Sequence, residues 1–390
     1  MNYRYPCTGY LTMNGFGSWL EQECTTPRRN INLFAQELGQ QFDAPWISLV
    51  NSGSSANLVA ALALAEKVRE QGKPLTAAIS AFTFPTTVSA LLLAGFTLTV
   101  VDTEPGGFNI DPNALQNLTP LPSVLAITHF LGFPCAIEQI CALATEKGSY
   151  VLQDACETLG MKIKNRPIHH YGDLTTWSFY HPHHLSSYGG GAVLSLTEED
   201  YILTDSVAHW GRACRCHIAP HKCLVPEGPA HQFTYERLGV NVEMSELNAC
   251  FGRWQLQQWE QIEQARLIRY NLLYSTLQHV PTARTWKAPE VEASPFVFPI
   301  QLTDGRCLND IFPQLKAEGI EIRTLMGGVC SEQAAFSHLQ AALPNAQELA
   351  RTTFFVGIHH TLPVEDVQHV ASRLLYHLST GHSGSEKNQP

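Results

Sequence analysis

Short apolar runs rich in β-branched residues alternate with stretches of helical spacing between about Ile47 and Ser195. The runs are Ala77–Ser80, Thr97–Asp102, Val124–Thr128, Tyr150–Gln153, Thr175–Ser178 and Ala192–Leu196; the helix-like stretches include Ala56–Glu70, Thr86–Ala94 and Ile137–Lys147. That rhythm predicts αβα units around a mostly parallel sheet. From Met244 the pattern changes. Apolar residues recur at helical spacing from Glu246 to His279, over roughly thirty positions, which predicts one unusually long helix linking a large domain to a smaller one. Strand-like Phe296–Leu302 and Ile320–Arg323, with helix-like Cys307–Glu318 and Val364–Leu378, predict a small α+β domain. The expected division is residues 1–243 for the large domain, 244–380 for the linking helix and small domain, and 381–390 for a flexible tail. No internal repeat or low-complexity segment interrupts this order.

The chain has 390 residues, of which 44% are hydrophobic, enough for a sizeable core. Lys and Arg total 25 against 35 Asp and Glu, a net charge of −10, and no basic run breaks the acidic balance. Nucleic acid and anionic membranes are therefore excluded as main partners, and a small molecule is favoured. The longest apolar stretch, Ser89 to Val101, is too short and too interrupted to cross a bilayer, and Met1–Gly15 lacks the layout of a secretory signal. A cytoplasmic protein with reduced thiols is expected. Eleven cysteines cannot all pair, and reduced, clustered cysteines point to metal.

Asn51-Ser52-Gly53-Ser54-Ser55-Ala56-Asn57 lies between an apolar run and a helix. Small residues there let backbone N–H groups and hydroxyls converge on an anion at a helix N-terminus, although an ordinary Ser-rich cap fits the same residues. Phe84, some thirty residues on, opens the next helix at the sheet edge where open α/β sheets bind ligands; a core aromatic is the commoner explanation of a single Phe. Asp154 closes the run Val151-Leu152-Gln153-Asp154. A carboxylate there suits the protonated pyridine nitrogen of a pyridoxal cofactor, or equally a helix cap.

Taken together, Ser52-Gly53-Ser54-Ser55-Ala56, Phe84, Asp154, Ser178-Phe179-Tyr180 and Leu238-Gly239-Val240-Asn241 resemble the sugar aminotransferase and dehydratase family of fold-type I pyridoxal-phosphate enzymes, over about residues 15 to 380. The resemblance implies an α/β fold with a large cofactor-binding domain, built on a mostly parallel central sheet, and a smaller α+β C-terminal domain. It implies that Gly53, Ser54, Ser55 and Ser178 hold the cofactor phosphate, that Phe84 stacks on the ring and that Asp154 pairs with the pyridine nitrogen. Asn241 would reach the neighbouring subunit's cofactor, which implies a homodimer.

One departure changes the expected chemistry. The chain reads Ser178-Phe179-Tyr180-His181-Pro182-His183-His184, with His183 where family aminotransferases carry the Schiff-base lysine, and no lysine lies between Lys164 and Lys222. An imidazole cannot make a covalent imine to the cofactor, but it moves protons near neutral pH. The exchange resembles the family's sugar 3-dehydratases, which bind pyridoxamine phosphate without a covalent link and use a His base. His183 is the expected base, with His184 as the candidate should the register shift by one.

Cys156, Cys214, Cys216 and Cys223 leave fifty-seven, one and six residues between them. They resemble the cysteines of the iron–sulfur CDP-4-keto-6-deoxyglucose-3-dehydrase subgroup: the first two intervals match and the third is one residue short. The resemblance implies that these four hold a [2Fe-2S] cluster, fed by a separate reductase, and that the substrate is a nucleotide-linked 4-keto-6-deoxyhexose losing its C3 hydroxyl. Structural zinc is the competing occupant of the thiolates, and His217 or His221 could replace Cys223. The chain departs from the subgroup at Tyr188-Gly189-Gly190-Gly191, which lacks a Glu, and in its shorter N-terminus. A cluster-free dehydratase that regenerates its cofactor with glutamate, and a non-catalytic sensor or scaffold on the same fold, are the rival functions. Cys7, Cys24, Cys135, Cys141, Cys250, Cys307 and Cys330 read as small hydrophobes.

Overall fold

The computed structural model describes residues 3–11, 13–23, 29–289 and 295–380; Cys24 and the expected tail, 381–390, lie outside the described residues. Helices α1 (Phe16–Glu23) and α2 (Arg29–Phe42) precede strand β1 (Trp46–Val50). Then follow α3 (Gly53–Glu70), β2 (Thr76–Ser80), α4 (Pro85–Leu93), β3 (Thr97–Val101), α5 (Pro112–Gln116), β4 (Val124–Thr128), α6 (Ile137–Lys147) and β5 (Tyr150–Asp154). A short ribbon, β6 (Lys162–Ile163) with β7 (Arg166–Pro167), leads to β8 (Leu174–Ser178), β9 (Gly191–Ser195) and α7 (Glu198–Ala208). These strands form a seven-stranded sheet in the order β1-β9-β8-β5-β4-β2-β3. All its neighbours pair in parallel except at β9, which runs antiparallel to both β8 and β1.

The central strands β4 and β8 are buried at every position, which is why β4 reads as a continuous apolar run and why β8 carries small hydroxyl residues rather than charges among its apolar ones. The order places α3 across the middle of the sheet. Its small residues Ala56, Ala60, Ala61, Ala63 and Ala65 are completely buried, so the helix backbone packs close to the strands and its N-terminus sits over their carboxyl ends.

The expected single linking helix is instead two, α8 (Glu246–Leu256) and α9 (Trp259–Leu277). The break falls where the apolar stripe changes partner. Leu256 and Trp259 pack with α2, β1 and β9 in one core, whereas Tyr270, Leu273 and Leu277 pack in a second, and one straight helix could not face both. The second core lies under a four-stranded sheet of β10 (Ala283–Thr285), β11 (Phe298–Leu302), β12 (Arg323–Thr324) and β13 (Thr353–Val356), in the order β10-β11-β13-β12. Helices α10 (Leu308–Ala317), α11 (Pro344–Thr352) and α12 (Val364–Ser379) complete this part. The strand expected at Ile320–Arg323 shrinks to the two residues of β12. No helix among the described residues is long and apolar enough to cross a membrane.

Helices α2 and α8 meet at Gly252, where a Cβ would lie 2.5 Å from the Phe34 ring. Phe34 in turn packs on Phe179, with ring centroids 5.3 Å apart, next to Ser178. Asn248 Nδ2 donates to the Ser187 carbonyl at 2.6 Å and the Ser186 N–H donates to Gln255. Helix α8 thus pins the 179–190 loop that joins β8 to β9. Gly252→Ala gains helix propensity, yet it overpacks a ring with no room to move. We expect it to lower stability by about 1–3 kcal/mol in denaturant unfolding; an unchanged or raised midpoint would contradict the close approach.

His129 shows a second constraint. The Cys135 N–H donates to its Nδ1 at 3.0 Å and its Nε2 meets Gln153 Oε1 at 3.0 Å, so only the neutral ring satisfies both contacts. Burial holds His129 down to about 4, and burial likewise brings His169 to about 4 and His360 to about 3. These groups are depressed in the folded state. Their contribution is complete above the unfolded imidazole value near 6.5 and is lost as pH falls from there towards 4, at roughly 1.4 kcal/mol per unit for each group. Melting curves should therefore show a steep fall in Tm as the pH drops from about 6.5 to 5.

Candidate active site and metal centre

The carboxyl ends of β4, β5 and β8 and the N-termini of α3 and α4 surround a cavity of about 800 Å³, the place where parallel α/β sheets bind ligands. Ser52 caps α3, its hydroxyl accepting from the Ser55 N–H at 3.0 Å. The Ser-rich cap and the anion cradle are therefore the same residues. Ser54 Oγ pairs with Thr86 Oγ1 at 2.8 Å, and Ser55 Oγ donates to Asn51 Oδ1 at 2.6 Å. A Cβ on Gly53 would lie 2.6 Å from Ser178 Cβ and 2.9 Å from its hydroxyl, so glycine alone lets the helix start reach Ser178. Backbone N–H groups, the helix dipole and the hydroxyls of Ser54 and Ser178 then meet at one end of the cavity, an arrangement that fits a phosphate, whereas Ser55 does not line the cavity and bonds Asn51 instead.

Asp154 is buried at the end of β5. Its Oδ2 accepts from Thr87 Oγ1 at 2.6 Å and from Asn57 Nδ2 at 3.1 Å; Asn57 is itself held by Thr176 Oγ1 at 2.7 Å. No α-helix begins after it, so the cap explanation fails. Oδ1 keeps only a 3.3 Å contact from the Cys156 N–H and remains suited to a cationic ring nitrogen. Phe84, half exposed at 51%, precedes α4 in the cavity wall rather than in the core.

Of the two histidines, His183 lines the cavity and His184 is buried behind it. His183 stacks on Phe296, centroids 5.1 Å apart, which fixes the ring plane. Burial pulls its imidazole down to about 4, against the opposing pull of the Cys156 carbonyl and with a further push from Arg266. The ring is thus neutral at physiological pH and ready to accept a proton.

Sequence reasoning missed three further members of the wall. Glu157 accepts from the Leu131 N–H at 2.6 Å, and burial raises its carboxyl to about 8, with Asp154 adding to the shift. Arg266, from α9, is only 1% exposed. Its Nη2 donates to the Phe296 carbonyl at 2.7 Å, while Nε and Nη1 have no partner among the described residues. His359, from the segment after β13, lines the same cavity. Arg266 and His359 are distant in sequence from the motifs and carry no local signal, whereas Glu157 lies three residues after Asp154 and adjacency to that motif could have marked it.

The four expected metal ligands do not come together. Cys214, Cys216 and Cys223 do, on the loop after α7, and the fourth member of their group is His231. The ligand atoms of these four residues lie within 4.8 Å of one another. Cys156 instead lines the cofactor cavity, with Sγ 3.9 Å from the Thr176 carbonyl and beside Gly53, and burial pushes its thiol well up. The reason is topological: Cys156 follows β5 beneath the start of α3, whereas the other three sit on an excursion beyond α7. His217 bonds Asp205 at 3.0 Å and His221 faces Glu198 at 3.3 Å, so neither replaces Cys223. Asn241 is exposed, bridges to His209 and does not line its own chain's cavity. Of the remaining cysteines, Cys7, Cys135, Cys250 and Cys330 are buried, and Cys141 and Cys307 are half-buried.

Known proteins share this architecture. A lipopolysaccharide biosynthesis protein, RfbH, from Salmonella typhimurium is 29% identical over 371 residues, covering 90% of this chain and 85% of that protein. A dTDP-4-dehydro-2,6-dideoxy-D-glucose 3-dehydratase from Saccharopolyspora spinosa is 28% identical over 369 residues, covering 88% and 79%. The solved E. coli GDP-4-keto-6-deoxy-D-mannose-3-dehydratase with bound hydrated PLP superposes with a TM-score of 0.85 at 20% identity, over 95% of this chain and 99% of that one, which establishes the fold-type I architecture. Residues 13–375 match the DegT/DnrJ/EryC1/StrS aminotransferase family, whose likeness extends to 3-dehydratases among the relatives, and the chain belongs to that family of PLP-dependent sugar-modifying enzymes.

Proposed function

We propose that this enzyme removes the C3 hydroxyl of a nucleotide-linked 4-keto-6-deoxyhexose, using pyridoxamine or pyridoxal phosphate held without a covalent link and His183 as the base. The observation that carries the reading is an imidazole, His183, stacked on Phe296 in the cavity wall at the position where the resemblance puts an aminotransferase's lysine. When bound, pyridoxamine phosphate supplies an amine that condenses with the C4 ketone and a ring that takes up electrons. Ser54, Ser178 and the start of α3 hold the phosphate, Phe84 covers the ring and Asp154 keeps its nitrogen protonated. His183 accepts a proton from the cofactor's C4′ carbon as the C3 hydroxyl departs. Its stacking on Phe296 holds the ring plane while the proton moves. Exposed Asn241 is consistent with a homodimer in which it reaches the neighbouring cofactor.

Release of a 3,6-dideoxy ketosugar needs two further electrons. The three assembled thiols support the reading in which a [2Fe-2S] cluster and a separate reductase supply them. A specific observation favours the second reading, with zinc in this loop and glutamate regenerating the cofactor: the His231 imidazole lies 3.0, 3.3 and 3.7 Å from the three sulfurs. Those edges match a single tetrahedral ion, for which bond lengths of about 2.0–2.3 Å set them near 3.6 Å. Iron and acid-labile sulfide in anaerobically purified protein decide the matter. Two irons and two sulfides per chain support the cluster, and a full complement of zinc supports the glutamate route.

Turnover of a nucleotide 4-keto-6-deoxyhexose should yield a 3-deoxy product, and His183→Asn should lower its rate by about 10²–10⁴-fold while leaving cofactor binding intact. His183→Lys should give a yellow protein in which borohydride fixes the cofactor at position 183. Formation of a 4-amino sugar by the unaltered enzyme would instead identify an aminotransferase. Asp154→Asn should abolish turnover and weaken cofactor binding, because a neutral amide cannot hold the pyridinium proton.

A further inference from the structure

We infer that the metal centre of this chain is built from three cysteines and one histidine, Cys214, Cys216, Cys223 and His231, with Cys156 outside it. The inference deepens the metal part of the reading above and rests on it only for the presence of a thiophilic metal. It departs from the all-cysteine set that the spacing implied, and the ligand atoms themselves carry it.

His231 Nδ1 lies 3.0 Å from the Pro226 carbonyl, an acceptor that has no proton to give. The Nδ1–H therefore donates, and in the neutral ring this leaves Nε2 bare. That bare nitrogen faces all three sulfurs, Cys214 at 3.0 Å, Cys216 at 3.3 Å and Cys223 at 3.7 Å. A carbonyl fixing the far ring nitrogen while the near one faces thiolates is the outer-sphere arrangement that orients a metal-binding histidine. Three thiolates and an imidazole make a closed four-ligand set that zinc accepts, and an iron–sulfur cluster takes histidine in place of cysteine with a raised potential.

The loop is built to hold this geometry. The Ala213 N–H donates to the Thr234 carbonyl at 2.9 Å and Arg212 bridges to Tyr235, so the chain leaving with Cys214 pairs with the chain returning after His231. Arg215 pairs with Glu236 at 3.1 Å, and Arg237 anchors the base to Glu66 at 3.1 Å and to Ser206 at 2.7 Å. The Ile218 and Ala219 N–H groups fold back on the Arg215 carbonyl, which turns the chain between Cys216 and Cys223. Cys156 has its own surroundings, the Thr176 carbonyl and Gly53, within the cofactor cavity.

The test uses full-length protein purified anaerobically, as His231→Ala, His231→Cys and Cys156→Ser, with Cys214→Ser as the ligand control and circular dichroism to verify folding. Iron, zinc and sulfide are counted after a fixed exposure to chelator. Cys156→Ser should keep the metal of the unaltered chain, whereas His231→Ala should lose it with Cys214→Ser, the affinity falling by more than about tenfold. His231→Cys should keep the metal with a changed signature. For iron that is a shifted visible spectrum and a lower midpoint potential; for zinc it is a shift in the absorption of the cobalt-substituted protein towards four-sulfur coordination. Retention in His231→Ala together with loss in Cys156→Ser would overturn the ligand set. Should His231→Ala fail to fold, an unshifted spectrum in His231→Cys would do the same. Finding zinc with this ligand set removes the cluster from the proposed function and leaves the ligand set standing; finding iron that requires Cys156 does the reverse.

Discussion

The close approach of Gly53 to Ser178 is the contact on which the site depends. A single added methyl would collide with the Ser178 side chain at 2.6 Å, so the start of α3 and the end of β8 form one surface only because position 53 has no side chain. From that contact the rest is placed in order. Helix α3 lies across the sheet on its alanines, Asn57 one turn along reaches Asp154, and the β8–β9 loop begins at Ser178 and carries His183 to the opposite wall. The residues proposed for the phosphate and the ring nitrogen thus sit at the ends of rigid elements, and the proposed base sits on a loop that helix α8 pins.

Much of this was legible in the chain. Buried parallel strands leave continuous apolar runs, and β4 and α6 begin and end where the pattern changes. The structure gathers Ser54, Asp154, Ser178 and His183 around one cavity; the first three sit at the end of a strand or the start of a helix, which local sequence marks best, and His183 follows on the loop after β8. The linking helix was misread because apolar spacing records a buried face without recording which core it faces. Arg266 and His359 were invisible for a related reason: nothing local distinguishes a cavity residue contributed by a remote segment.

The metal loop shows the limit of spacing arguments most plainly. Intervals between cysteines count residues, whereas a ligand set is decided by which side of the sheet each residue emerges on. Cys156 satisfies the first condition, yet its side chain lines the cavity while Cys214, Cys216 and Cys223 group with His231. His231 had no spacing rule to announce it, yet the Pro226 carbonyl gives it the one tautomer able to face the thiols.

Arg266 has a consequence of another kind. A guanidinium sealed in the cavity wall, with two nitrogens that have no partner among the described residues, is a debt the fold carries by itself, since burial already drags this strongest of side-chain bases down to about 9. An arriving anion would settle it. An anion seated there would therefore raise the protein's tolerance to heat through a single side chain on α9.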